Sequence, residues 1–255
     1  MKFIVDNKSM EKALSDIQGK GKYLGNGGLS SSKMGSYFYM FLEGNDLNLW
    51  NGDLTFGMNI TITVAGIENG SFVGDAGLII PYLKKFEDAV QFETGDFLKL
   101  SSGNRKASLP MIVNHPNMEA ITRIRDMVKH ISYRPEADRL WSFGKSKFEG
   151  SFMLNSTVFK DAISLCELVK SGVYTLNYSK EKVSFSSTAN ASNKYEEEIE
   201  LSTFSGEGAT LEYSGPLHNF FPPLQRLNFL VKDEFPLLIV GEDRMILKAP
   251  YTGGN

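Results

Sequence analysis

Residues 3–17 read FIVDNKSMEKALSDI, and residues 152–166 read FMLNSTVFKDAISLC. At a shift of 149 residues, Phe3 falls on Phe152, Val5 on Leu154, Met10 on Phe159, Ala13 on Ala162, Leu14 on Ile163, Ser15 on Ser164 and Ile17 on Cys166. Each stretch opens as a short apolar strand. Each continues with apolar residues at helical spacing, Met10, Ala13, Leu14 and Ile17 in the first. Ser9 is the expected N-cap of that helix. A strand running into an amphipathic helix, written twice in one chain, predicts tandem domains of one design.

The surroundings extend the repeat. In the first half, Tyr37–Leu42, Asp46–Trp50 and Phe56–Val64 read as strands. In the last of these, Met58, Ile60, Ile62 and Val64 alternate with Gly57, Asn59, Thr61 and Thr63, the period of a half-buried strand. Glu43-Gly44-Asn45 and Ile67-Glu68-Asn69-Gly70 read as turns. Residues 81–90 predict a second helix with Pro81 at its first position and Leu83, Phe86 and Val90 on one face. A hairpin closes the half, Phe97–Leu100 and Lys106–Ile112 around Ser102-Gly103-Asn104. The second half follows suit with strands Val173–Tyr178, Lys182–Ser187 and Tyr195–Leu201. A short helix follows at Gly215–Phe221, then a hairpin, Leu237–Val240 and Met245–Lys248. The expected organisation is domain 1 over 1–112, a connector over 113–147 with a helix at Asn117–Lys129, and domain 2 over 148–255.

Composition narrows the class. Hydrophobic residues make up 42% and charged residues 22% of 255, the balance of a globular chain. No apolar run is long enough to span a bilayer, and Met1–Asp6 turns polar too soon for a signal peptide, so no membrane partner is expected. One cysteine, Cys166, precludes an internal disulfide and fits a reducing cytoplasm. The net charge of −3 is not that of a basic nucleic-acid binder. It is unevenly spread, however. Residues 113–147 hold seven basic and four acidic residues, a net of +3 that leaves −6 on the rest. That segment either touches DNA or forms a basic surface for a protein partner.

The first half resembles a domain of the bacterial DNA polymerase processivity clamp. The likeness lies in Met1–Val5, Leu47–Leu54, Ile79–Phe86 and Ser101–Pro110. The second half resembles the C-terminal domain of the proliferating-cell nuclear antigen clamps, through Val183–Ser187, Glu234–Ile239 and Leu247–Pro250. These are core and turn patterns, each weak alone, and their strength is that they fall in order along most of the chain. The connector is longer than the family's, and Pro222-Pro223 shortens the last helix. The resemblance implies an α+β fold of two clamp-type domains, each of antiparallel sheets with two helices. It also implies a ring whose helices line the bore. Two domains per chain imply a homotrimer.

A sliding clamp must hold DNA without reading bases, which flexible cations on the bore achieve through phosphate attraction. The candidates are Lys12, Lys20, Lys22, Lys84 and Lys85 in the first half. In the second they are Lys160, Lys170 and Arg226, with His218 beside them. Any single helical lysine is more often plain solvated surface, and the Lys84-Lys85 pair carries most weight. In this family subunits join by strand pairing. That implies a seam of Arg105, Lys106, Leu109 and Met111 against Tyr195, Glu197 and Ile199, with Arg105-Lys106 near Glu196-Glu197-Glu198 across it. The plain alternative is an acidic edge that only resists aggregation. Partners of such clamps, among them the polymerase and the clamp loader, dock short apolar peptides. The implied pocket comprises Leu54, Met118, Pro236, Ala249, Pro250 and Tyr251. The resemblance also implies work at the nucleoid or at a site of viral replication.

Nothing in the sequence assembles a catalytic site, a metal site or a cofactor site. His115, His130 and His218 lack metal spacing. Gly25–Ser32 lacks the Lys-Ser/Thr of a phosphate loop. Cys166 falls on the apolar stripe, where a core thiol is expected. Two other classes remain as alternatives. One is a viral-type processivity factor that binds DNA by a basic face without closing a ring. The other is a β-rich module for protein or carbohydrate.

Overall fold

A computed structural model describes residues 1–18, 36–53, 56–112, 131–134, 140–143, 146–215 and 217–251. These form two compact units, one over the described residues up to 112 and one from 131 onward. The 117–129 helix expected in the connector lies outside the described residues, as do Lys20, Lys22, Gly25–Ser32, Leu54, His115, Met118 and His130. Three short strands, β10 (Ile131–Arg134), β11 (Leu140–Phe143) and β12 (Ser146–Lys147), form a small antiparallel sheet of their own.

In the first unit, β1 (Lys2–Asp6) runs into α1 (Asn7–Ile17). Strands β2 (Tyr37–Glu43), β3 (Asp46–Asp53), β4 (Phe56–Thr63) and β6 (Gly70–Asp75) pair antiparallel in the order β4-β3-β2-β6. A five-stranded sheet runs β5-β1-β7-β8-β9, with β5 (Ala65–Glu68), β7 (Ala89–Thr94), β8 (Phe97–Ser102) and β9 (Arg105–Pro110). Helix α1 packs on β1, β3 and β4, and α2 (Ala76–Leu83) packs on β2, β6 and β9. The core is Phe3, Val5, Val90, Phe92 and Leu100 from one sheet, Phe38, Met40, Leu49 and Ile60 from the other, and Met10, Leu14, Ile79 and Leu83 from the helices. All are buried.

The second unit repeats the plan. Strand β13 (Gly150–Asn155) enters α3 (Ser156–Glu167). Strands β14 (Val173–Ser179), β15 (Lys182–Asn190), β16 (Asn193–Glu200) and β18 (Ala209–Ser214) lie in the order β16-β15-β14-β18. Strands β17 (Phe204–Gly206), β19 (Arg226–Val231), β20 (Leu237–Val240) and β21 (Arg244–Lys248) extend β13 in the order β17-β13-β19-β20-β21. A 3₁₀ helix, Leu217–Phe220, stands where α2 stands in the first unit.

The repeat reaches individual atoms. The first helical residue is polar and buried in both units, Asn7 and Ser156. The Asn7 side-chain amide donates to the carbonyls of Leu83 and Phe86, both at 2.8 Å, at the end of α2 and just past it. The Ser156 hydroxyl donates to the Pro222 carbonyl at 2.7 Å and accepts from the Gln225 N–H at 3.0 Å, just past the 3₁₀ helix. Under each helix two rings stack, Phe3 on Phe92 at 4.9 Å and Phe152 on Phe229 at 4.8 Å. Such pairs add about 0.5–1.5 kcal/mol beyond area burial.

Several expectations are corrected. Asp6, not Ser9, caps α1, its carboxylate accepting from the Ser9 N–H at 2.8 Å, and Asn155 caps α3 at the matching place. The second helix starts at residue 76 behind an Asp75 cap and ends at 83, so Pro81 is internal and Val90 belongs to β7. A proline near the end of so short a helix removes one hydrogen bond, to the carbonyl of Gly77, so the helix tolerates it. Ile67 and Glu68 are strand rather than turn, since β5 pairs with β1. His218 is buried edge-on to Phe159 at 6.4 Å. Burial holds its imidazole down at about 4, with Lys160 acting in the same direction, so it is neutral near pH 7 and offers no cation to DNA.

Asn7→Ala leaves two carbonyls without their donor and is expected to lower stability by about 2 kcal/mol. The loss should exceed that of Asp6→Ala, whose cap lies in solvent. Urea unfolding of both variants checks this, and a smaller loss for Asn7→Ala would mean that the tether does not hold the helix. His218 makes a second prediction. The unfolded chain takes up its proton near the ordinary 6.5, whereas the folded chain resists until about 4. Stability is therefore full above pH 6.5 and declines as pH falls toward 4. The decline between pH 6.5 and 5 should flatten in His218→Gln.

Candidate nucleic-acid interface, free sheet edges and docking cavity

Helix α1 turns Met10, Ala13, Leu14 and Ile17 inward, which leaves Lys8 and Lys12 exposed. Helix α2 has no charged residue of its own, and Lys84 and Lys85 follow it, both exposed. Cations at a helix C-terminus also complement its dipole, so their position alone does not assign them a ligand. The Asn7 tether brings the start of α1 to the end of α2, so Lys8, which nothing in the sequence singles out, joins Lys84 and Lys85 at one corner. Glu87 and Asp88 share that corner, and Glu87 pairs with Arg105 at 3.4 Å. In the second unit Lys160, Lys170 and Arg226 are exposed. Among the described residues none of Lys12, Lys84, Lys85, Lys160, Lys170 and Arg226 forms an ion pair. By contrast, Lys2 and Lys99 share Glu93, Lys182 takes Glu198 and Lys232 takes Glu149.

Strand β9 ends one sheet and β16 ends another, so each has a free edge among the described residues. Gly103 (φ 55) opens the two-residue turn between β8 and β9. The ladder's alternation turns the backbone groups of Lys106, Ser108 and Pro110 outward from β8. Pro110, which has no N–H to give, sits where none is needed. On β16 the Leu201 N–H bonds the Glu181 carbonyl at 2.7 Å, which sets the phase and turns the backbone of Glu196, Glu198 and Glu200 outward.

The expected seam residues divide accordingly. Arg105 and Lys106 are exposed on β9, Arg105 already engaging Glu87. Leu109 is buried within its own unit, so its side chain is a core group there, and Met111 lies just past the strand. Tyr195, Glu197 and Ile199 are half-buried on the inner face of β16, where the Tyr195 hydroxyl donates to Glu197 at 2.9 Å. The outward carboxylates are Glu196, Glu198 and Glu200. Period two decides which glutamates face out, a signal that the sequence carries but that needs the strand's phase to be read.

In the second unit a cavity of about 450 Å³ is lined by Thr210, Leu211, Glu212, Glu234, Pro250 and Tyr251. Pro250 and Tyr251, two of the residues named for a partner pocket, line this cavity. Pro236 and Ala249 are half-buried nearby in sequence but do not line it. The Tyr251 N–H donates to the Glu212 carbonyl at 2.7 Å, pinning the C-terminal segment beside β18. The residues from β18 and Glu234 escape sequence reading because nothing local marks a strand as one wall of a cavity.

Cys166 is buried, and burial, with Glu197 and Glu167 behind it, pushes its thiol up to about 11, far from a nucleophile's range. Among the described residues no group of three His, Cys, Asp or Glu side chains could hold a metal ion, and no helix is long and apolar enough to cross a membrane.

No family model matches this sequence, and no curated protein matches it. Solved structures do match in fold. A putative DNA polymerase III beta subunit from Eubacterium rectale superposes with a TM-score of 0.73 at 14% identity, over 100% of this chain and 66% of that one. The Helicobacter pylori beta clamp, solved with a DNA ligase peptide, gives 0.67 at 14% identity over 100% and 68%. The A. fulgidus PCNA, solved with the C-terminal region of FEN-1, gives 0.68 at 14% identity, over 100% of this chain and 99% of that one. The chain thus spans about two thirds of the bacterial subunits and nearly the whole of the A. fulgidus one. Two units of one strand–helix design, matched end to end by clamps of both kinds, give this chain the sliding-clamp fold.

Proposed function

We propose that this chain is a DNA sliding clamp, a processivity factor that encircles duplex DNA and tethers a polymerase and other DNA-processing proteins. The observation that carries the reading is the full-length match to a two-unit clamp of nearly equal length. It is strengthened by cations free of ion pairs, among the described residues, on and beside the helices of both units. Such cations attract phosphates without fixing a register, which permits sliding. In this reading the clamp has no chemistry of its own and acts by topology, where DNA is copied in a cytoplasm or at a site of viral replication.

Three copies supply six units and close the ring head to tail, β9 of each pairing with β16 of the next. The edges are opposite in sign, Lys106 on one and Glu196 and Glu200 on the other, none of them in an ion pair among the described residues. The cavity beside Pro250 and Tyr251 receives partner peptides, as its aromatic wall and position near the chain's last described residues suit an extended segment.

Light scattering coupled to size exclusion should give a mass near 85 kDa, three times 28.4 kDa. A particle that stays at 28.4 kDa on concentration would move the reading to an open factor that binds by a basic face. Lys84→Ala with Lys85→Ala should leave the mass unchanged and weaken retention on end-blocked DNA. The dependence of log K on log salt should become shallower by about 0.9 for each phosphate that the clamp no longer neutralises. Retention and salt slope equal to the parent's would remove both lysines from the DNA path.

A further inference from the structure

We propose, resting on the reading that the cavity in the second unit receives partner peptides, that it selects peptides whose apolar anchor stands beside an arginine or lysine. Glu212 and Glu234 take the cation, and Pro250 and Tyr251 take the anchor.

The cavity of about 450 Å³ has two kinds of wall. Pro250 and Tyr251 form an apolar and aromatic side, with the Tyr251 side chain 42% exposed. Glu212 and Glu234 supply two carboxylates, and none of the lining residues is basic. Both glutamates are exposed, and neither forms an ion pair among the described residues. Lys232, two residues before Glu234, is committed to Glu149.

Backbone bonds bring these groups together from three parts of the second unit. Glu212 lies on β18, which ends its sheet, and the strand's alternation turns Thr210 and Glu212 to solvent while Ala209, Leu211 and Tyr213 are buried. Glu234 lies in the turn between β19 and β20. The Asp233 carboxylate clips that turn to β18 by accepting the Thr210 N–H at 2.7 Å, and the Phe235 N–H closes it on the Lys232 carbonyl at 3.3 Å. The Tyr251 N–H, donated to the Glu212 carbonyl, sets the aromatic ring on the same wall.

The chemistry of the occupant follows from these walls. Carboxylates repel phosphate, so nucleic acid is excluded. Two carboxylates lining one cavity repel one another, and a cation entering beside them relieves the repulsion. A guanidinium matches a carboxylate through two parallel hydrogen bonds, and an ammonium meets it as a point charge. Both cations are also attracted to the face of a tyrosine ring. A peptide that brings only apolar groups strips water from the carboxylates without pairing them, which weakens it against a basic one. An acidic residue at the same place is repelled outright.

The test pans a phage-displayed library of random peptides on the full chain, then measures the affinity of the enriched peptides, made synthetically, by fluorescence anisotropy. A peptide bound at this cavity is one that Tyr251→Ala weakens. Such peptides should carry arginine or lysine beside an aromatic or aliphatic residue. They should bind Glu212→Gln with Glu234→Gln about tenfold more weakly. Replacing the basic residue of the peptide by Gln should cost as much on the parent and nothing further on the double variant. Both glutamates are exposed, so the double variant should fold, as far-UV dichroism will report, and the change on the peptide needs no variant at all. Cavity-bound peptides that lack a basic residue, or that lose no affinity when it is replaced, overturn the proposal and leave the docking reading standing. If Tyr251→Ala weakens none of the enriched peptides, the docking reading and the proposal fall together.

Discussion

Asn7 and Ser156 do the same work in the two units. Each is the first residue of a helix, each is buried, and each ties that helix to a segment more than sixty residues further on. The tether fixes where the helix starts and which face it turns to the sheets. The apolar stripe Met10, Ala13, Leu14, Ile17 and its counterpart Phe159, Ala162, Ile163, Cys166 are then committed inward. The other face of each helix is left to solvent with whatever charges it carries. The exposure of Lys12 and Lys160 follows from that placement.

The same geometry creates the free edges. The hairpins that close β8 with β9 and β15 with β16 satisfy one side of their outer strands and leave the other side without strand partners among the described residues. A protein guards such edges or uses them. Here the guarding devices are modest, a proline at the end of β9 and glutamates along β16, and the two edges differ in sign. Charges that suppress like pairing favour unlike pairing.

Most of the architecture is legible in the sequence. Period two locates β4, apolar runs bounded by turn residues locate β2, β3 and both closing hairpins, and helical spacing locates α1 and α3. The misreadings have physical causes. Pro81 has the look of a helix start because proline favours that position, yet Asp75 has already capped α2 well upstream of it. Strand β6 escapes notice because Gly70–Asp75 has little apolar alternation and is held as a strand by pairing with β2, and β5 because Ile67-Glu68, next to Asn69-Gly70, reads as a turn until it pairs with β1. His218 reads as a cation until the packing of Phe159 and its neighbours makes it a neutral core group.

The sequence by itself determined the duplication, the inward stripe of each helix and the charges on each strand, because these depend on local periodicity and residue chemistry. Only the tertiary structure decided which strands end their sheets, which glutamates of β16 point outward, that Leu109 faces its own core, and that β18 and the C-terminal segment enclose one cavity. Each of these depends on contacts between residues far apart in the chain, and neither the partner nor the register of such a contact is written in the local pattern of either segment.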